Sequence, residues 1–288
     1  MSSIQANGTS FEYVEYGSGE TLVLVHGSNS DYRTWQAQFD TLAKQYRTLA
    51  YSRRYHYPNA EIAEGVDYAM AEQLDDLQQI IQSLNTGKVH LVGHSYGAFL
   101  CILLAIREPG LIQSLVLEEP PIVTLFISIP PKPQEILKLL LTRPRTAIAI
   151  IQFATKGLNP ATKAAKQGDM ESAFRIFTKA IMGEETFNNL SEERLEQGRV
   201  NNIKAELLGS GFLPVEDAAI SRVQIPTLLI NGAKSPAMFH RLIDRMEELL
   251  PDSKRIIIPD ASHISHEDNP AAYNTAILQF IKQHQQVI

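Results

Sequence analysis

One serine of the chain lies in a sequence context that favours nucleophilic catalysis. Ser95 is the central residue of a G-x-S-x-G motif at residues 93–97, which follows the apolar run 89–92 and precedes the helix-forming run 98–106. A strand, a sharp turn and a helix in this order form a nucleophile elbow, where strained backbone lifts the serine hydroxyl out of the sheet. Glycines flank the serine because side chains there would collide with the neighbouring strand and helix. We therefore predict that Ser95 is a catalytic nucleophile.

A serine hydroxyl is a poor nucleophile at neutral pH, so it needs a histidine base within hydrogen-bond reach. The segment 259–266 follows the last predicted strand and therefore lies at the same edge of a parallel sheet as the elbow. We predict that His263, in this segment, is the base. His266 is expected to line the site or to be a solvated loop histidine.

The negative charge that develops on an attacked carbonyl oxygen needs preorganised N–H donors. Tyr96 follows the nucleophile and offers its backbone N–H at the start of a helix, where the macrodipole favours an anion. The loop that begins at His26-Gly27 is expected to supply the second donor. Ser28 is the candidate in that loop, and Asn29 is the alternative.

A segment rich in aromatic and basic residues, 52–59, also follows a predicted strand. Its side chains could grip a polar or anionic group of a substrate, but an arginine-braced structural loop fits the same sequence equally well. The candidate substrate-binding residues at this edge of the sheet are Asn29, His56, Tyr57 and His266. No residue is assigned to a metal ion or a cofactor.

The elements that must position these residues follow an alternating pattern. Continuous apolar runs such as 21–25 and 46–52 are typical of strands buried on both faces. An amphipathic helix, 69–84, separates the run 46–52 from the next apolar run, 89–92. Strands that alternate with helices indicate a mainly parallel sheet with helices on both of its faces. The sequence therefore predicts the α/β fold class with a doubly wound sheet.

This alternation stops after the sixth predicted strand, 114–119. Residues 122–220 contain helical pieces broken by prolines but no apolar strand run, and the sheet pattern resumes near residue 226. We predict a core of residues 1–121 and 221–288, with an all-α cap at residues 122–220.

The segments 26–28, 93–97 and 261–263 resemble the α/β-hydrolase superfamily in their order and spacing. The resemblance covers essentially the whole chain, with the insertion as a cap domain. It implies that these segments supply the oxyanion-hole loop, the nucleophile and the catalytic histidine. Superfamily members that open epoxides or remove halides carry an aspartate at the elbow, so a serine points to acyl transfer.

A catalytic triad also needs a carboxylate that orients the histidine, and this acid is missing from its usual place. Most superfamily members carry it just after the penultimate strand, but residues 231–239 contain no Asp or Glu. Glu119 ends the sixth strand, where Pro120 is expected to hold it extended, and some superfamily members place the acid there. Because adjacent strand residues point to opposite faces, only one glutamate can face the histidine. We predict Glu119, with Glu118 as the alternative; both could instead be solvated loop charges.

These residues predict a serine hydrolase that cleaves a small, partly hydrophobic ester or lactone through an acyl-enzyme on Ser95. Apolar side chains of the cap would roof the pocket and exclude water. Because a fold does not determine a reaction, two alternatives stay open. One is a C–C bond hydrolase, lyase or cyclase on the same scaffold, and the other is a non-catalytic ligand-binding receptor.

Composition restricts the partners that this chain can have. Of its 288 residues 44% are hydrophobic and 20% are charged, as in ordinary globular proteins, and the net charge is −6. That charge disfavours nucleic acids and anionic membranes. The single cysteine, Cys101, lies in an apolar run and is expected in the core. We expect no signal peptide, a cytoplasmic location, a monomer or homodimer, a small-molecule substrate and no cofactor.

Overall fold

A computed structural model describes residues 2–201 and 203–285 of the chain. Its sheet has eight strands: β1 Ser2–Ala6, β2 Thr9–Tyr16, β3 Thr21–Val25, β4 Arg47–Tyr51, β5 Val89–His94, β6 Ile112–Glu118, β7 Thr227–Gly232 and β8 Ser253–Ile258. Their order across the sheet is β1-β2-β4-β3-β5-β6-β7-β8. β2 pairs antiparallel with β1 and β4, and all other neighbouring strands are parallel.

Helices cover both faces of this sheet. Those that connect or follow strands of the core are α1 Gln36–Leu42, α2 Met70–Ser83, α3 Tyr96–Arg107, α12 Ala237–Leu249, α13 Ser265–Asp268 and α14 Pro270–Lys282. Between β6 and β7 lie α4 Pro133–Thr142, α5 Pro144–Phe153, α6 Asn159–Lys166, α7 Met170–Met182, α8 Glu184–Asn188, α9 Glu192–Arg199, α10 Ile203–Leu208 and α11 Asp217–Ile220, with a π-helix, Ala154–Leu158, joining α5 to α6. The predicted α/β class, its mainly parallel sheet and the helical insertion after the sixth strand are confirmed.

The central strands are buried on both faces, and for that reason they appear in the sequence as continuous apolar runs. All five residues of β3 are buried. In β5, Leu91 packs into the cluster on the side of α2 and α3, whereas Val92 packs with Trp35 and Ile277 on the opposite side. The sheet is therefore a rigid central layer, and it holds the carboxyl ends of β3, β5, β6 and β7 at one edge.

The turn between β5 and α3 is the tightest feature at that edge. Ser95 has φ of 50° and ψ of −118°, a conformation that L-residues rarely adopt. The glycines on either side permit it: a Cβ on Gly93 would lie 2.6 Å from Cα of Ala98, and a Cβ on Gly97 would collide with the carbonyl oxygen of Val25. The sequence motif and the backbone geometry thus have one steric cause.

Cys101 is a free cysteine buried in the core, as its apolar surroundings predict. Among residues 2–201 and 203–285, no helix combines the length and apolarity that crossing a membrane requires.

Gly97→Ala is expected to lower the free energy of unfolding by about 1–3 kcal/mol, because the added methyl group meets backbone that cannot move aside. Urea unfolding measures this change. Gly110→Ala is the matched control, since a Cβ at Gly110 meets no atom within 4 Å. Equal stability of the two variants would show that the close approach of α3 to β3 does not constrain the turn.

Candidate active site

Ser95 lies where β5 ends and α3 begins, and its residue is 6% exposed. Its backbone N–H donates to the carbonyl oxygen of Glu118 (2.8 Å), and its carbonyl oxygen accepts from the N–H of Phe99 (3.0 Å). The strained turn is therefore held on both sides, by the end of the neighbouring strand β6 and by the first turn of α3. Strain that the surroundings maintain in this way is typical of functional residues.

His263 and Glu119 form a fully buried pair. Nδ1 of His263 donates to Oε2 of Glu119 (2.6 Å), and both side chains are 0% exposed. The other carboxylate oxygen accepts from Nδ2 of Asn231 (3.0 Å) and from the N–H of Gly232 (3.1 Å). With Nδ1 as the donor, Nε2 is the basic nitrogen of the ring. Nε2 is buried and has no hydrogen-bond partner in the described part of the chain.

The end of β7 and the first turn of α12 contribute to this pair without supplying an acid. Asn231 and Gly232 fix the carboxylate of Glu119, and the ring of Phe239 stacks on His263 at 3.9 Å between centroids and 21° between planes. The segment that lacks the expected acid therefore orients both the acid from β6 and the histidine. Sequence reasoning missed the roles of Asn231 and Phe239, and the only signal for them was the absence of Asp and Glu from residues 231–239.

Glu119 does not have the extended backbone that Pro120 led us to expect. Its φ is 47°, so β6 ends at Glu118 and the chain turns sharply. The N–H of Glu119 donates to the carbonyl oxygen of Ile230 (3.2 Å), and this bond together with the bonds to its side chain holds the turn. The expectation was wrong because contacts from β7 outweigh the local preference before a proline.

Glu118 pairs with the second histidine of the same loop. Nδ1 of His266 lies 2.8 Å from Oε2 of Glu118, and Nε2 of His266 lies 2.8 Å from the hydroxyl of Thr34. Burial alone would lower the pKa of His266, but the charge of Glu118 and its hydrogen bond outweigh burial and raise that pKa. The expectation of a solvated His266 was wrong, as was the alternative of solvated glutamates, because all three side chains are buried and each carboxylate takes one histidine. That His266 lines the substrate site stays a prediction.

His94 separates the two histidines. Its Nε2 donates to the carbonyl oxygen of His263 (2.9 Å), and its ring centroid lies 4.8 Å from that of His263 and 4.6 Å from that of His266. Burial, and then the charges of both neighbouring histidines, lower the pKa of His94 well below its usual value. A neutral His94 is therefore a packing residue that holds the backbone of the His263 loop.

The loop after β3 passes directly against the elbow. A Cβ on Gly27 would lie 3.0 Å from Cβ of Ser95, so this loop reaches Ser95 only because residue 27 is a glycine. Ser28 follows and is half-buried. Tyr96 is the first residue of α3, and its N–H therefore has no partner within the helix. The structure brings the two predicted donor segments together beside Ser95.

The alternative donor, Asn29, contacts the helical insertion. Its φ is 50°, and its Nδ2 donates to the hydroxyl of Thr178 in α7 (3.1 Å). Tyr57 is placed at the surface, where it is 42% exposed with the guanidinium of Arg33 4.2 Å from its ring centroid. The structure does not bring Tyr57 into the buried site, because the chain at residues 52–59 turns its histidine inward and this tyrosine outward.

Comparison with known proteins identifies the fold family. Residues 20–270 match the family model described as the alpha/beta hydrolase fold. The chain belongs to this family. It is 26% identical to epoxide hydrolase 3 of Xenopus tropicalis, over 96% of this chain and 76% of that protein. It is 22% identical to an (E)-2-((N-methylformamido)methylene)succinate hydrolase of Acinetobacter baylyi, over 96% of each chain. A thermophilic esterase from Thermogutta terrifontis, solved with malate bound, superposes with a TM-score of 0.71 at 20% identity, over 99% of this chain and 100% of that one.

In this α/β hydrolase, a buried arginine braces the loop beside Ser95. The backbone N–H of Arg53 donates to Nε2 of His26 (2.8 Å), and its side chain donates to the carbonyl oxygens of His26 and Gly27, each at 3.0 Å. Its guanidinium also lies 4.3 Å from the ring centroid of Tyr96. Of the two interpretations of residues 52–59, the structure supports the arginine-braced loop.

The charge of Arg53 is matched by a glutamate from the helical insertion. Nη2 of Arg53 donates to Oε1 of Glu206 in α10 (2.9 Å), which also accepts from the hydroxyl of Tyr68 (2.8 Å). Burial would raise the pKa of Glu206, but the hydrogen bond from His56 and the charge of Arg53 outweigh burial and lower that pKa to about 2. Glu206 is therefore an anion that ties the insertion to the loop at residues 26–28. No motif marks it in the sequence.

His56 belongs to the same buried network. It is 0% exposed, and its ring nitrogens contact the carbonyl oxygen of Ser30 (2.8 Å) and the hydroxyl of Tyr68 (2.6 Å). Burial, and then the charge of Arg53, lower the pKa of His56. The expectation that His56 binds substrate is replaced by a structural role, because both of its nitrogens are already engaged.

Glu206→Gln is expected to lower the free energy of unfolding by about 3 kcal/mol at neutral pH, because it leaves the buried Arg53 without its counter-charge. The pKa of Glu206 lies below that of the unfolded chain, so its contribution is complete above pH 4.5 and is lost as the pH falls towards 2. Urea unfolding of wild type and variant between neutral and acidic pH measures the difference. The exposed Glu193→Gln is the control and should change stability by less than about 0.5 kcal/mol. A difference that stays constant or grows towards low pH would contradict the pairing.

Proposed function

We propose that this α/β hydrolase is a serine esterase that cleaves a small, partly hydrophobic ester or lactone through an acyl-enzyme on Ser95. The observation that carries the proposal is the buried pair of His263 and Glu119 beside the elbow, with Nε2 of the histidine unpartnered among the described residues. Nε2 takes the proton from the hydroxyl of Ser95 as its oxygen attacks the carbonyl, and then gives it to the departing alcohol. Water repeats the sequence on the acyl-enzyme and releases the acid.

Each remaining residue has a definite part in this reaction. Glu119 keeps the proton of His263 on Nδ1 and stabilises the imidazolium that forms. The backbone N–H groups of Tyr96 and Ser28 receive the negative charge of the tetrahedral intermediate. Arg53 holds the second donor in place through its bonds to the carbonyl oxygens of residues 26 and 27.

A cavity between the helical insertion and α12 supports a small and partly apolar substrate. It has a volume of about 420 Å³ and lies between α5, the π-helix, α7 and the start of α12. Phe153 and Met238 line it, and Lys156 and Lys179 add charge. The ring of Phe153, which lines the cavity, has its centroid 6.4 Å from that of Phe239, and Phe239 stacks on His263. No residue of the proposed triad lines the cavity itself. The volume of this cavity lies at the lower end of the range found for small-molecule binding pockets.

The nucleophile favours acyl transfer over the epoxide opening for which the relative from Xenopus tropicalis is named. A carboxylate that opens an epoxide forms an ester, which water can cleave to free the enzyme. A serine would form an ether, which water does not cleave under these conditions. Ser95 can therefore turn over only with substrates whose carbonyl carbon accepts its oxygen.

The first test is covalent labelling. A fluorophosphonate probe is expected to label the wild type and Ser83→Ala, a surface serine control, but not Ser95→Ala, and only the first two proteins should hydrolyse short p-nitrophenyl esters. Labelling that persists in Ser95→Ala would refute the nucleophile. Labelling of the wild type without ester turnover would refute the esterase while keeping Ser95, and would point to a C–C bond hydrolase.

The second test separates the two adjacent glutamates. Glu119→Gln is expected to lower kcat for p-nitrophenyl esters by about 10⁴-fold, because it leaves the tautomer and the charge of His263 unsupported. Glu118→Gln, the matched change one residue away, should lower thermal stability but keep kcat within about tenfold of the wild type, because Glu118 contacts His266. The reverse order of the two effects on kcat would assign the triad acid to Glu118.

A further inference from the structure

One segment of the helical insertion carries a charge opposite to that of the rest of the chain. We call residues 129–158, which comprise α4, α5 and the π-helix, the basic hairpin. It contains five of the 26 Lys and Arg residues but only one of the 32 Asp and Glu residues. Its net charge is therefore +4, whereas the other residues together carry −10.

Most of this positive charge is not neutralised within the protein. Only Arg143 has an acidic partner in the described part of the chain, Glu248 at 2.7 Å. The other cations of the basic hairpin, which have no carboxylate within salt-bridge distance among the described residues, are Lys132, Lys138, Arg145 and Lys156. The one acid of the hairpin, Glu135, is engaged by the N–H groups of Ser128 and Lys132.

The same hairpin exposes large aliphatic side chains. Leu141 is 77% exposed, and Leu137, one helical turn before it on α4, is 59% exposed. Further exposed aliphatic residues occur before α4, on α4, on α5 and at the end of the π-helix: Ile129, Leu140, Ile148, Ile151 and Leu158. A soluble surface tolerates single residues of this kind, but a concentration of them beside cations marks an interaction site.

These exposed residues lie on the outer side of the hairpin. The inner sides of both helices pack into one cluster, through Leu139 of α4 and through Ala147 and Ile150 of α5, together with Phe239 and Ile264 of the core. Because one cluster receives the inner sides of both helices, the apolar and basic residues on their other sides face away from the core. They form one face, which we call the docking face.

We propose that the docking face binds the surface of an anionic lipid bilayer. Aliphatic side chains with cations around them match the boundary between acyl chains and anionic headgroups, where lysine stems bury their methylenes and keep the charge in water. A second copy of the chain would bring the same cations together and repel. The acidic remainder of the molecule is repelled from such a surface, so the charge distribution also orients the protein with its basic hairpin towards the lipid.

In this proposal the protein lies on the lipid surface without spanning it, and the contact is next to the cavity described above. Lys156, a cation of the basic hairpin, lines that cavity, and so does the exposed Gln152 of α5. A partly apolar substrate dissolved in the bilayer would therefore meet the cavity where the protein contacts the lipid. This inference goes beyond the proposed esterase and stands on the surface alone, so it holds or fails independently of Ser95.

Vesicle flotation tests the proposal with the whole protein. The wild type is expected to float with phosphatidylcholine vesicles that contain phosphatidylglycerol, to float much less with phosphatidylcholine alone, and to be released by high salt. Leu137→Glu/Leu141→Glu should weaken binding at least about tenfold by removing the apolar contacts. Lys138→Gln/Arg145→Gln should weaken it about 30-fold, as expected for two cations near an anionic surface.

Matched variants elsewhere on the surface serve as controls. Val66→Glu/Ile257→Glu adds the same charge at two exposed aliphatic residues, and Lys44→Gln/Lys88→Gln removes the same charge. Both should bind like the wild type, and circular dichroism should show that all variants are folded. No flotation of the wild type, or equal weakening by test and control pairs, would overturn the proposal. So would a wild-type dimer in light scattering that Leu137→Glu/Leu141→Glu converts to a monomer without any vesicle binding.

Discussion

Two adjacent carboxylates buried at the end of β6 impose the constraint on which the site depends. Glu118 and Glu119 are both 0% exposed, and an unpaired buried charge costs several kcal/mol. β6 ends at Glu118 and the chain turns sharply at Glu119, so the two carboxylates reach different partners. The segment after β8 supplies two histidines three residues apart, His263 in the loop and His266 in α13, and each takes one carboxylate. The need to pair both charges therefore fixes this loop against β6 and places His263 beside the elbow.

The same strand end also holds Ser95, the proposed nucleophile. The carbonyl oxygen of Glu118 accepts the N–H of Ser95, and the N–H of Glu119 donates to Ile230 of β7. Ser95 and Glu119 both have φ near 50°, so two of the three residues proposed for catalysis have strained backbone. Hydrogen bonds between neighbouring strands hold this strain, which is why the residues sit at strand ends rather than in free loops. Rigid strands thus determine the geometry of the site more than its own side chains do.

The sequence was sufficient for features that depend on local pattern. Buried parallel strands give continuous apolar runs, and the elbow needs its two glycines, so the fold class and the position of Ser95 follow directly. The absence of an acid after β7 led to Glu119, which the structure places against His263. The pairing of Glu118 with His266 and that of Arg53 with Glu206 join residues 148 and 153 positions apart, and no local pattern marks either one. Residues 52–59 fitted two roles for the same reason. Only the contact of Arg53 with Glu206 of α10 distinguishes an arginine-braced structural loop from a substrate-binding loop.

Net charge was the least informative property of the sequence, for a physical reason. At physiological ionic strength electrostatic potentials decay over about 8 Å, whereas a compact chain of this length has a radius of gyration of about 19 Å. A surface that approaches one side of the molecule therefore responds to the charge on that side and hardly to the total of −6. The helical insertion shows how different the two sides can be. Its inner side contributes the buried anion Glu206 to the core, and its outer side presents unpaired cations among exposed aliphatic residues. An argument from total charge averages over both sides, and it is valid only for a partner large enough to surround the protein.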